Sequence, residues 1–404
     1  MNRRQFNQSL AAGLIIAPFS ASSGFQISAD ENTIDPKDLK SIGGNWFLKE
    51  GQKPLYYYKD ADRYLDLFSY HTKDSNKDGI DNLKVSHDDK FLIVNSQGYP
   101  NHATAIFPNS RNPNSIEVQD FHFKFPLKPR LAPEITRLPM GPIGMALNGV
   151  VFFNPFEMEG MNAVEGYSEV WLDACCGHPQ QTGVYHYHKY PSCVKSPFID
   201  NGKQHSPVLG FAFDGFPLYG PYESSNQMAR DIKEEKALDV CNGHKDDTRG
   251  YHYHVTPGRF PYILGGYAGV VEPSNNRGLR FARKGPIEDN TQPGSRETPV
   301  ITSVSPGNVS RGKSHVIRFE LEPENIRRGP ALPEEKPDWV QIGPFVAKKI
   351  EREKNVVLAT FDIPASATQG VFYDCHIEFG KNEFPNAIKR NDALIWQDLS
   401  ISIL

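Results

Sequence analysis

Twenty residues of this chain occur twice, 66 positions apart and without a gap. Leu172-Asp173-Ala174-Cys175-Cys176-Gly177-His178 leads through Thr182 into Tyr185-His186-Tyr187-His188 and then Pro191. Leu238-Asp239-Val240-Cys241-Asn242-Gly243-His244 leads through Thr248 into Tyr251-His252-Tyr253-His254 and Pro257, so 11 of the 20 positions are identical. At the chain's own Tyr and His frequencies one such tetrad has chance odds of roughly one in a thousand, so two in register are an internal repeat. Any fold for this chain must build the same local structure twice.

The tetrad has the period of a strand. Alternate side chains share a face, so His186 and His188 point one way while Tyr185 and Tyr187 point the other. Two imidazoles at i and i+2 can close on one metal ion, at bond lengths of about 2.0–2.1 Å. A third ligand must come from another segment, and His178 is the natural donor. The ligand sets are thus His178, His186 and His188, and in the second copy His244, His252 and His254. Three neutral imidazoles leave coordination positions for water or substrate. Each copy could hold one ion, or both triads could converge on a two-metal site. Asp173 and Asp239 are placed to orient a ring N–H. The competing reading makes the histidines structural, hydrogen-bonded across neighbouring strands.

Four of the five cysteines fall within residues 175–241. In an exported protein, disulfides there outrank thiolate ligands. The repeat equates Cys175 with Cys241, which suggests a bridge between them and leaves Cys176 for Cys193, though spacing does not fix the pairing. Cys375 stands alone and reads as a small buried hydrophobe.

The expectation of export comes from the first 23 residues. Arg3-Arg4 starts a twin-arginine-type signal peptide, Leu10 to Phe19 is apolar, and Ala21-Ser22-Ser23 offers small residues for cleavage. The apolar stretch is too short for a membrane span. That places the protein in the bacterial periplasm or outside the cell. The formal net charge of −4 gives no reason to expect a nucleic-acid partner. A small-molecule or cell-surface partner stays unspecified.

Along the chain, residues 24 to about 50 read as a tail without periodicity. Short apolar runs cut by turns follow over residues 55–285, with hairpin signals at Asn148-Gly149 and Asp214-Gly215. One short helix is predicted over Asn226 to Leu238, capped by Ser224 or Ser225. Residues 286–298 read as a linker. Over 299–404, strand-like runs at Val300 to Val304, His315 to Leu321, Val356 to Ile363 and Val371 to Phe379 predict a β-sandwich. Asp74-Ser75-Asn76-Lys77-Asp78-Gly79 has calcium-loop spacing but lacks the closing Glu, and reads as a surface turn. The sequence holds no nucleophile elbow or phosphate loop.

The two tetrads resemble the YHYH domain family. Tyr99-Pro100-Asn101-His102, Leu138-Pro139-Met140-Gly141-Pro142, Phe153-Asn154-Pro155, Phe213-Asp214-Gly215-Phe216-Pro217-Leu218-Tyr219-Gly220 and Phe260-Pro261-Tyr262 extend the likeness over about residues 95 to 270. Pro299 to Pro306 resembles the opening strand of immunoglobulin-like IPT/TIG domains. The resemblance implies an exported protein, assigns no catalytic residue, and draws attention to Asp214 and Tyr219 beside the repeat, with His102 as a structural histidine. The fold class is therefore mainly β: a β-rich YHYH domain with one short helix, then an immunoglobulin-like β-sandwich. The functional expectation is a histidine-ligated copper or zinc protein, with metal-dependent oxidoreductase chemistry if turnover occurs. Folded export inclines the metal to copper. The alternative is a non-enzymatic exported binding or scaffold protein whose His/Tyr strands and disulfides are structural.

Overall fold

The computed structural model describes residues 36–276 and 301–378 apart from short gaps, the longest being 157–171 (Ala163 excepted) and 322–335, together with the strand Ile401–Ile403. The signal-peptide and linker expectations lie outside the described residues.

An eight-stranded sheet carries the repeat, and its strands are numbered here along the chain. The first half supplies β1 (Pro142–Ala146), β2 (Val151–Phe153), β3 (Gly177–Pro179) and β4 (Tyr185–Tyr187). The second supplies β5 (Val208–Ala212), β6 (Pro217–Tyr219), β7 (Gly243–Asp246) and β8 (Gly250–His254). Their spatial order is β3-β4-β2-β1-β5-β6-β8-β7, so each half is the mirror order of the other about the β1–β5 pair. That central pair is antiparallel and sets Met145 opposite Phe211, Gly144 opposite Ala212 and Ala146 opposite Gly210. Since 145 and 211 differ by the repeat offset of 66, a pseudo-twofold axis passes through this one residue pair.

Both expected hairpins form. Gly149 and Gly215 follow Asn148 and Asp214 with φ of 87° and 85°, a left-handed conformation that glycine adopts without strain. Each turn is closed in the same way, by Ala146 N–H to Val150 O (2.8 Å) and Ala212 N–H to Phe216 O (3.1 Å). Outside the hairpins the pairings β2–β4 and β6–β8 are parallel, so each half needs a long crossover between its second strand and its edge hairpin.

Two smaller sheets cover the central one. A four-stranded meander, Leu39–Gly43, Trp46–Lys49, Leu55–Tyr58 and Arg63–Leu65, puts Trp46 and Tyr56 against Phe211, with ring centroids 5.5 and 5.8 Å apart. A three-stranded sheet, Leu83–His87, Phe91–Ser96 and Phe121–Pro126, brings Phe123 to 4.8 Å from Phe213. The expected tail is thus part of the core from Leu39 onward; its strands are too short to show a period. The Asp74 loop is a turn, with Asp74 accepting the N–H groups of Asp78 and Gly79.

The predicted helix does not form. Residues 227–236 make a short strand, Gln227–Met228, and two 3-10 turns, Ala229–Asp231 and Glu234–Lys236. Glu234 sits at φ 64°, which no α-helix accommodates. The Arg230 carbonyl, which a helix would use internally, bonds Arg259 instead, and Lys236 O, near the expected helix end, bonds His244 Nδ1.

A second core, built from Ile317, Phe319, Val340, Val357, Phe361 and Ile377, organises residues 301–378. Lys313–Leu321 pairs antiparallel with Val356–Ile363 in an unbroken register. The protein as described is mainly β throughout.

One charge cluster ties the meander to the repeat. Arg249, in the β7–β8 turn, bonds both carboxylate oxygens of Asp60 and also Asp246, with side chains of Arg249 and Asp60 only 13% and 14% exposed. Truncating one member of a buried pair strands the opposite charge. Arg249→Met is predicted to cost about 3 kcal/mol in urea unfolding; a loss below about 0.5 kcal/mol would show the cluster to be solvated.

Candidate metal centres

Each edge hairpin places its histidines by register. In β3–β4 His178 stands directly opposite His186, and in β7–β8 His244 stands opposite His252. His188 and His254 are two residues beyond, on the same face. The two trios superpose in their distances. Ring centroids lie 4.5, 5.4 and 4.7 Å apart for 178–186, 178–188 and 186–188. The corresponding values in the second half are 4.7, 5.2 and 5.1 Å. Among the described residues no hydrogen bond or ring contact joins one trio to the other, and the strand order puts four strands between β4 and β8. The sites are therefore two separate centres, which removes the converged two-metal geometry from the sequence-based alternatives.

The tautomers are set by the backbone. His186 Nδ1 meets Val184 O and His252 Nδ1 meets Gly250 O, both at 2.9 Å. His188 Nδ1 meets Asn154 O at 3.0 Å, and His254 Nδ1 meets Gly220 O at 2.6 Å. A carbonyl only accepts, so Nδ1 carries the hydrogen and Nε2 is a bare lone pair. The Nε2 atoms then face one another: His186 to His188 at 3.0 Å and His244 to His252 at 3.1 Å. His178 differs, since its Nδ1 lies 3.3 Å from the Asn112 amide, which also donates to Pro179 O.

Two further residues complete the second centre. His205 packs at a steep angle against His254 (4.9 Å) and His252 (5.4 Å), and Glu223 reaches in from the short strand Tyr222–Ser224. Glu223 Oε2 lies 3.4 Å from His205 Nε2, 3.2 Å from His244 Nε2, 3.4 Å from His254 Nε2 and 4.0 Å from His252 Nε2. Sequence reasoning missed both. His205 has no partner in the repeat, since Pro139 stands 66 positions before it. The offset does pair Glu223 with Glu157 in sequence, a signal available in the chain; Glu157 lies outside the described residues.

The donor sets suit a transition metal. Bonds of about 2.05 Å in a tetrahedron place donors about 3.3 Å apart, close to the spacings here. The potential ligand atoms of His178, His186 and His188 lie within 4.8 Å of one another, as do those of His205, Glu223, His252 and His254, with His244 outside that second group. His178 Nε2, His205 Nε2, His254 Nε2 and Glu223 Oε2 are buried without a hydrogen-bond partner. Burial holds His178 and His186 well below the ordinary imidazole range and His188 and His254 at about 4, so these rings are neutral donors at neutral pH. Burial also pushes the Glu223 carboxyl upward, but the imidazoles of His205, His244 and His254 outweigh it and hold the group anionic. His244 feels burial first, and Glu223 raises it in spite of that.

Of the four residues expected to support the histidines, three do other work. Asp173 accepts the N–H groups of Cys175 and Gly177 and the Tyr185 hydroxyl (2.7 Å), and Asp239 does the same for Cys241, Gly243 and Tyr251 (2.7 Å). They clamp the hairpin rather than orient an imidazole. A Cβ on Gly177 would sit 2.4 Å from the Tyr185 ring, and one on Gly243 would sit 2.1 Å from the Tyr251 hydroxyl. Asp, Gly and Tyr thus recur as one unit, the tyrosine crossing the glycine to reach the carboxylate. Asp214 is fully buried, bound to the Tyr253 hydroxyl and Gly269 N–H. Tyr219 does touch the centre, its ring 4.8 Å from His205 and 5.2 Å from His252. Its counterpart Phe153 stacks on His186 at 3.7 Å. His102 bonds the Tyr187 hydroxyl and Ala103 O, a structural role.

The expected cysteine pairing is overturned. The disulfide joins Cys175 to Cys193, with Cα atoms 5.3 Å apart, while Cys176, Cys241 and Cys375 are buried outside it. Cys175 and Cys241 precede hairpins on opposite edges of the sheet, beyond the Cα separation a bridge spans.

Fold and site together define a β-sheet protein with paired histidine centres. Residues 122–236 match the model of a family described as YHYH protein, a stretch that holds the first Tyr-His-Tyr-His block and ends before the second. Comparison with curated proteins and with solved structures found no match.

Asp214 gives a test of the environment behind the second tetrad. Burial, opposed by the Tyr253 bond, raises its carboxyl to about 6 from 3.8. Below 3.8 the folded and unfolded states are both protonated; between 3.8 and 6 only the unfolded state ionises, so stability falls as pH rises through that window. The whole fall is about 3 kcal/mol. Asp214→Asn, which copies Asn148 of the first half, should shrink the drop in unfolding free energy between pH 4 and pH 7 by about that amount. An unaltered drop would sink this assignment.

Proposed function

We propose that this protein binds a transition-metal ion, copper or zinc, at each of its two histidine centres: His178, His186 and His188 in one half, and His244, His252 and His254 with their neighbours in the other. The observation that carries the reading is the approach of His186 Nε2 to His188 Nε2 at 3.0 Å while both Nδ1 atoms bond carbonyls. Two lone pairs facing each other need a cation between them. A proton is disfavoured there, because burial opposes imidazolium formation in both rings. A metal ion bound by neutral imidazoles answers the need without it.

The seven histidines of the two centres are buried, none above 7% exposed. A described cavity of about 460 Å³ is lined by residues such as Lys90, Phe91, Lys128, Arg130 and Val271 and by none of the histidines. This favours an ion that is held over one that exchanges with substrate, and so favours a metal-binding protein over an oxidoreductase. The export reading is part of the same proposal: residues 1–23 act as a twin-arginine-type signal, which delivers a folded, metal-loaded protein to an oxidising compartment. The Cys175–Cys193 bridge suits that compartment, and no described helix is long and apolar enough to cross a membrane. Residues 55–285 then form the metal-binding unit, joined by a linker at 286–298 to a sandwich over 299–404 of immunoglobulin-like character. The support for the last is its own core between paired antiparallel strands.

Elemental analysis of the exported protein tests the reading. The wild type is expected to hold about two copper or zinc ions per chain, and His186→Ala/His188→Ala about one. Ion at 100 times its dissociation constant should stabilise the chain by about 2.7 kcal/mol, reversed by chelator. A chain with no ion even after reconstitution would leave the Tyr-His-Tyr-His strands as architecture.

A further inference from the structure

We propose that the second centre is a four-donor site for a divalent transition ion, with Glu223 as its anionic ligand and His205, His252 and His254 as its three imidazoles. This rests on the metal-binding reading above and specifies one of its two centres. The four donor atoms are Nε2 of His205, His252 and His254 and Oε2 of Glu223, a group whose ligand atoms all lie within 4.8 Å of one another. For His205, His252 and His254, Nδ1 is occupied by a backbone carbonyl, of Ser206, Gly250 and Gly220 respectively. Three nitrogens and one carboxylate oxygen therefore converge with no hydrogen among the ring atoms that face inward. His244 stands beside them, its Nε2 3.2 Å from Glu223 Oε2 and 3.1 Å from His252 Nε2.

Geometry favours a single ion. Bonds of about 2.05 Å in a tetrahedral site put donors about 3.3 Å apart. Glu223 Oε2 lies 3.4 Å from both His205 Nε2 and His254 Nε2, and its 4.0 Å to His252 Nε2 is the loosest of the three. Charge selects the class of ion. A divalent cation among neutral rings would leave two uncompensated charges in a buried site, and the Glu223 carboxylate halves that. Mixed imidazole and carboxylate donors suit Zn²⁺ or Cu²⁺, whereas Cu⁺ is better served by soft or neutral donors in smaller number. The Tyr222–Ser224 strand, which among the described residues pairs with Gln227–Met228, brings this ligand from outside the eight-stranded sheet. Glu223 is also the most accessible of the four, 20% exposed against 6% or less for the side chains of the three histidines, so it marks the side from which the ion arrives.

The test uses the full chain, stripped with chelator, and the isosteric variant Glu223→Gln beside His205→Ala. The probes are Zn²⁺ and Cu⁺, titrated against a competing chelator, and Co²⁺ as a spectroscopic substitute. The His186→Ala/His188→Ala background isolates the second centre; if that background does not fold, the second of two ions in the otherwise intact chain is read instead. Glu223→Gln is expected to weaken Zn²⁺ on the order of 100-fold and His205→Ala on the order of 10-fold, with Cu⁺ changed by less than about threefold. Co²⁺ should give the intense visible bands of a four-coordinate ion. Undiminished Zn²⁺ affinity in Glu223→Gln, or the faint bands of six-coordinate Co²⁺, overturns the inference while leaving two metal centres standing. A wild type that takes up no ion overturns both.

Discussion

The register of the two edge hairpins is the constraint on which the rest depends. His178 faces His186 and His244 faces His252 only while Gly177 pairs with Tyr187 and Gly243 with Tyr253. A slip by one residue would turn every tyrosine to the imidazole face and every histidine away. Edge strands are where such slips are cheapest, because one side has no neighbour to hold it. The Asp173–Tyr185 and Asp239–Tyr251 bonds answer that weakness. Each joins the base of a hairpin to its far strand across a glycine that leaves room for the ring.

That clamp explains what the sequence could and could not reveal. The repeat, its strand period and the six histidines were legible because a tetrad with period 2 is a local signal. Asp173 and Asp239 recur just as visibly, yet spacing alone could not say whether they serve an imidazole or a hydroxyl. The wider symmetry was also present. The 66-residue offset pairs Asn148 with Asp214 and Met145 with Phe211, so both hairpin turns belong to the repeat as well. Substitution at these positions hides it, since a core pair can exchange Met for Phe while keeping its place.

Other features are set by contacts with no periodic trace. His205 stands alone in a loop, and only the folded chain shows its Nε2 aimed at Glu223. The false helix over 226–238 has the opposite cause. Its composition permits a helix, but Lys236 and Arg230 give their carbonyls to His244 and Arg259, and this tertiary demand outweighs propensity. The bridge between Cys175 and Cys193 follows the same logic. Repeat symmetry suggested the partner 66 residues away, whereas the sheet holds that partner on the far edge.

The two faces of the tetrad also divide the electrostatic work. On one, the tyrosine hydroxyls meet Asp173, Asp239, Asn148 and Asp214, and lock the strand to its surroundings. On the other, imidazole nitrogens are gathered, with the tautomers of all the rings but His178 fixed by backbone carbonyls, and Phe153 or Tyr219 covers one side of the cluster. Desolvated lone pairs confront one another in this arrangement, and the rigid tyrosine face keeps them from relaxing apart. Under the metal-binding proposal, a cation at either centre would gain the attraction of donors already in place, with little side-chain freedom left to lose. The hairpin clamp that fixes the strand thereby also fixes the geometry of its histidines.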